Sequence, residues 1–169
     1  MNLQADCEVV CACCTNQETC PGDPVRTQLQ NTLAGVAFDG GQSLMTPGTP
    51  QNRAFEWLVA SPGLSALTEY QVIERYSLVT LYYSTVGDSW DNRTGWLTDP
   101  DVCNWYPIEI GDPPQSVCDQ NGFVDALVLR RNNLVGTIPP ELAHMTSLCK
   151  FVYEIQWKTI PLLAFVVVF

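Results

Sequence analysis

Residues 124–148 read "VDALVLRRNNLVGTIPPELAHMTSL". Leucine, or an apolar residue in its place, returns at Val124, Leu127, Leu129, Leu134, Ile138, Leu142, Met145 and Leu148. The early spacings of three and then two predict a short strand, residues 126–129, with Leu127 and Leu129 facing inward. Asp125, Ala126, Val128, Arg130 and Arg131 then fall on the outward side. Gly136 permits a tight bend. Ile138 and Pro139 continue the coil, and "ELAHM" carries the chain back toward a second strand.

Around this stretch the chain changes character. It has 169 residues, 46% of them hydrophobic and 10% aromatic, which suits one ordinary domain or a small domain with irregular flanks. The formal net charge is −10 and only eight residues are Lys or Arg. Nucleic acid asks for clustered cations, so it is excluded as an expected partner. Acid is dense over residues 88–125, where Arg93 is the sole base. A solvated surface accounts for this. "DSWDNRTGWL" lacks the spacing of acids and glycine that a calcium loop needs.

Residues 1–48 read as a Cys-rich, largely disordered segment and linker. Five cysteines, Cys7, Cys11, Cys13, Cys14 and Cys20, crowd into "CEVVCACCTNQETC" without paired CxxC units. Structural disulfides, an incidental cluster and a metal-binding or redox module are the three readings open there. Gly, Pro, Gln, Thr and Ser are frequent from Pro21 to Gly48, with room for a short helix around "RTQLQNTLAGVAF". "MNLQADCEVV" has neither the basic start nor the apolar run of a secretory signal.

Two helices are predicted next. Thr49 supplies an N-cap and Pro50 a first-turn proline. Ala54, Phe55, Leu58 and Val59 share one face, and Ser61-Pro62-Gly63 ends the segment. Thr68-Glu69-Tyr70-Gln71 fits a capping box. Val72, Tyr76, Val79 and Tyr83 then recur at helical spacing up to Gly87. A tyrosine stripe of this kind is core material, with one wet polar tip per ring. Trp90, Trp96 and Trp105 follow in a loop-rich segment and need a surface to pack on, for which the second helix is nearest. Asn92-Arg93-Thr94 is a triplet that permits N-glycosylation outside the cell.

With these residues in view, the stretch 124–148 resembles the repeat of plant-type leucine-rich-repeat proteins, LxxLxLxxNxLxGxIPxxLxxLxxL. Asn132, Gly136, Ile138 and Pro139 match in register, besides the apolar positions Leu127, Leu129, Leu134 and Leu142. The run "RYSLVTLYYSTVGDSW…GWL…CNWY" is similar to leucine-rich-repeat proteins of microalgae such as diatoms. The resemblance covers roughly residues 47–150. It implies an α/β fold: the start of a right-handed β/α solenoid behind a helical, disulfide-containing N-terminal cap. Residues 49–123 would be that cap, with Tyr76, Tyr83, Trp90, Trp96 and Trp105 in its core. Residues 124–153 would be one complete repeat and the start of a second. In the family Asn132 bonds backbone groups inside the turn. Cys103 and Cys118 occupy the cap-cysteine positions and are expected to pair, although an acidic, proline-containing insertion separates them. Residues 154–169 are an apolar tail outside the repeat pattern, read as an artefact of frame or splicing, a buried strand or a truncated anchor. An array needs about three repeats to be stable, so the chain is expected to be a fragment of a longer one.

The resemblance implies a recognition module rather than an enzyme. Its partner would be a protein, peptide or glycan, met outside the cell or at its surface, with any membrane anchor lying beyond this chain. Asp125, Val128, Arg130 and Arg131 are the contact candidates, the arginines because their forks suit carboxylate and phosphate groups. No cofactor, metal or catalytic residue is expected. The sole histidine, His144, sits at a variable repeat position, and no phosphate loop, dinucleotide fingerprint or zinc helix occurs. A receptor kinase could carry such an ectodomain, but no kinase motif is present.

Overall fold

The computed structural model describes residues 23–98, 101–105, 118–155 and 164–168, the backbone alone for 154, 155 and 164–168. The cysteine cluster at residues 7–20 lies outside the described residues, and so does the insertion at 106–117.

Four α-helices come first: α1 Pro24–Val36, α2 Gln42–Met45, α3 Pro50–Ala60 and α4 Glu69–Ser84. The segment read as linker up to residue 48 thus holds a helix at Pro24–Val36, near the place where room for one was noted, and a second short helix at Gln42–Met45. Asp23 accepts the Val25 N–H at 3.0 Å and Pro24 occupies the first turn, which starts α1. Leu29 and Leu33 of α1 and Leu44 of α2 are buried in the common core.

α3 and α4 begin at the predicted caps. The Thr49 hydroxyl accepts the Asn52 N–H at 3.1 Å. At α4 the Gln71 N–H reaches Thr68 Oγ1 at 3.3 Å, and the Thr68 N–H reaches Gln71 Oε1 at 2.9 Å. α4 is buried through most of its circumference, from Val72 to Tyr82 apart from Ile73. It packs on α3, on α1 and on the short 3₁₀ turn Pro140–His144. The shared core includes Phe55, Leu58, Tyr76, Val79 and Leu81 from the helices and Leu127, Leu129 and Leu134 from the segment 126–134.

The rest is a small sheet in the order β1-β2-β3: β1 Ala126–Leu134, β2 Lys150–Ile155 and β3 Ala164–Val168. β1 is longer than the strand predicted at 126–129. β1 and β2 run parallel. Ala126 pairs with Lys150, Leu127 with Phe151, Val128 with Val152 and Leu129 with Tyr153, a constant offset of 24 residues. The register then shifts before Leu134 meets Ile155. Arg131 (φ 51°) and Asn133 (φ 53°) have left-handed backbone in that interval. β3 pairs antiparallel with the far edge of β2, Phe151 opposite Val167.

Candidate recognition surface

The tryptophans fasten the loop after α4. Tyr82 lies 5.2 Å from Trp90, Trp90 lies 4.8 Å from Trp96, and Trp96 lies 5.2 Å from Trp105, centroid to centroid. Trp105 then meets Trp57 of α3 edge-on at 5.9 Å. Tyr76, Trp90, Trp96 and Trp105 are buried and Tyr83 is half-buried, its ring covered by the Arg53 guanidinium at 3.9 Å. Gly95 lets the loop close on itself: its φ is +78°, and a Cβ there would stand 2.5 Å from the Asn104 carbonyl oxygen.

Cys103 and Cys118 are joined in a disulfide with Cα atoms 5.7 Å apart. Cys118 also forms a single antiparallel bridge with Val124, so the cross-link reaches the residue from which β1 departs. Between them Asp119 shapes the turn, accepting the N–H groups of Asn121 (2.8 Å) and Phe123 (3.0 Å). These bonds hold the Asp119 carboxyl below its usual range.

Three contacts seat β1 and the turn after it on α4 and the loop that follows it. Asn132 is buried and bonds the backbone of Asn92 in both directions: the Asn92 N–H donates to its Oδ1 at 2.6 Å, and its Nδ2 donates to the Asn92 carbonyl at 2.9 Å. The Val135 N–H donates to the Thr85 carbonyl at 3.2 Å. Gly136 (φ +129°) passes so close to α4 that a Cβ there would stand 2.1 Å from the Ser84 carbonyl oxygen. Leu142 and Pro139 are buried and Ile138 is partly buried beneath this corner.

Two buried carboxylates were not legible as such. Glu74, 1% exposed, accepts the Val124 N–H at 2.8 Å. Burial raises its pKa to about 7, and the charges of Asp119 and Asp101 push the same way. Its carboxylate borders a cavity of about 260 Å³ shared with Gln71, Asp101, Cys103 and Asn121. Glu141, 2% exposed, takes a bond from Gln51 Nε2 at 3.0 Å, while its backbone carbonyl accepts the Ser77 hydroxyl at 2.9 Å. Glu74 meets the start of the strand segment from α4, and Glu141 meets α4 from the 3₁₀ turn. A buried carboxylate bonded to backbone N–H is the only signal that distinguishes Glu74, and it exists only once the chain is folded.

The outward face of β1 is smaller than the sequence suggests. Arg130 and Arg131 are exposed, and Val128 and Asp125 are half-buried, but Ala126 is buried. Val152, which pairs with Val128, is buried too. Asp125 accepts the N–H groups of Cys149 (2.8 Å) and Lys150 (3.1 Å) on its backbone carbonyl. Arg130 makes no ion pair among the described residues. His144 is exposed at the end of the 3₁₀ turn. Among the described residues no cluster of His, Cys, Asp or Glu could hold a metal, and no helix is long and apolar enough to cross a membrane.

No family model matches the chain, and no solved structure matches it.

Proposed function

We propose that this chain is the cap and first repeat of a leucine-rich-repeat type recognition module. It is non-enzymatic, and it presents one face of its parallel sheet to a protein, peptide or glycan outside the cell. The observation that carries the reading is the 24-residue offset between β1 and β2, repeated over four consecutive pairs. That offset is the length of one coil: strand, turn at Asn132, 3₁₀ segment, strand. Asn132 is buried at its place in the pattern, although it bonds the Asn92 backbone and not groups inside its own turn as the resemblance implies. The disulfide fits an oxidising compartment.

Arg130, an exposed cation of β1 with no ion pair among the described residues, is assigned the contact with an anionic group of the partner. One repeat is too small for a standard interface of about 1,200–2,000 Å². The test therefore displays the full chain in many copies on beads, so that avidity compensates, against arrays of acidic peptides and anionic glycans. Specific binding that falls at least about tenfold in Arg130→Glu, a loss of about 1.4 kcal/mol, with an unchanged thermal midpoint, is the expected result. Binding that ignores Arg130→Glu rejects this face as the recognition surface.

A further inference from the structure

Asn92 stands in the only Asn-x-Ser/Thr triplet of the chain, Asn92-Arg93-Thr94. The structure divides its polar groups between two tasks. Its backbone N–H and carbonyl are both taken by the buried Asn132 side chain. Its side chain points the other way: Oδ1 accepts the Thr94 N–H at 3.3 Å and the Thr94 hydroxyl at 3.2 Å. Nδ2 makes no hydrogen bond among the described residues. Asp91, Arg93 and Thr94 around it are exposed, and Asn92 itself is half-buried.

We propose that Asn92 carries an N-linked oligosaccharide on Nδ2 while its backbone holds the first repeat on the cap. The donor is an oligosaccharide linked to a polyprenyl diphosphate. The amide nitrogen bonds to the anomeric carbon, the bond from that carbon to the diphosphate oxygen breaks, an amide proton is released to base, and the lipid diphosphate departs. In the folded chain the attached sugar displaces no hydrogen bond, since the one polar atom it uses is unspent. An amide committed to the core, like that of Asn132, would lose its buried partners on the same modification.

The natural relevance of this site rests on the extracellular location proposed above, but the site itself can be tested without it. The full chain is fused to a cleavable secretion signal and translated with endoplasmic-reticulum vesicles. Protease protection identifies the translocated chain. A protected band enlarged by one glycan, returned to its original mobility by endoglycosidase and absent in both Asn92→Gln and Thr94→Ala, is the expected result. A protected chain without an endoglycosidase-sensitive shift, or with one that survives Asn92→Gln, overturns the proposal. The purified glycosylated protein is expected to melt at the temperature of Asn92→Gln. A markedly lower midpoint would mean that Nδ2 is not free, and would equally overturn it. Neither readout depends on whether Arg130 binds a partner.

Discussion

The helices with the loop after them, proposed as the cap, and the segment from β1 to β2, proposed as the repeat, solve the same problem with different means. The helices contribute Phe55, Leu58, Tyr76 and Val79 to the core they share with β1, and a file of rings ties the loop after α4 to it. The repeat has no interior of its own. Leu127, Leu129 and Leu134 are buried in the core shared with the helices, and its turn is satisfied by the backbone of a loop 40 residues away. The cap behaves as a small domain, whereas the repeat behaves as a layer, stable to the extent that something is stacked on it. That makes damage to the cap global and damage to the repeat local.

The largest expected effect is in the cap. Phe55→Ala removes a fully buried ring and should cost about 3–5 kcal/mol, read as a fall in the urea midpoint for cap and repeat together. If β1 amides keep their exchange protection while α4 loses its own, the dependence of the repeat on the cap is wrong. Next comes the cross-link. Cys103→Ser with Cys118→Ser opens a loop of sequence separation 15, at a cost of about 3 kcal/mol in the chain-entropy model. The same midpoint with and without reductant in the parent chain would show that the bond stabilises nothing.

Glu74 sets a pH dependence of comparable size. Its folded pKa of about 7 lies above the ordinary 4.5, so the folded state holds the proton more tightly. The stability from this group is complete below pH 4.5 and is lost as pH rises through about 7, a change of up to about 3 kcal/mol. Glu74→Gln should therefore flatten the profile over that window and gain on the parent above pH 7, since its amide oxygen can still accept the Val124 N–H. Parallel stability–pH curves for the two proteins would remove Glu74 from this role. The smallest effect belongs to the repeat. Asn132→Ala leaves both backbone groups of Asn92 without partners and should cost about 1–3 kcal/mol, with hydrogen exchange quickening around Asn92 and β1 but not in α3. Uniform loss across the chain would erase the distinction between domain and layer.

How much of this was readable follows from how local each signal is. The starts of α3 and α4 rest on residues three positions apart, Thr49 with Asn52 and Thr68 with Gln71, and both were legible. α1 was missed as a firm element, although Asp23-Pro24 carries the same kind of start signal, because the surrounding Gly, Pro and Gln read as linker. The inward face of Leu127 and Leu129 follows from period two. The burial of Ala126, Glu74 and Glu141 does not, since it is decided by which surface is brought against them. Asn132 was marked by its place in the pattern, but the identity of its partner, Asn92, depends on how the loop returns over 40 residues.

The constant spacing of β1 and β2 has a consequence for inheritance. Residues 135–149 join the strands, and their number sets which face of β2 meets the core. A single inserted or deleted residue that slid the strand by one would exchange Phe151 and Tyr153 for Lys150 and Val152 on the inner side. A lysine would then be aimed at a leucine-lined interior. Lengths in this connection are thus tolerated in steps, not continuously. The connection is held twice, in its count by the register and in its letters at Gly136, Leu142 and Leu148 by packing.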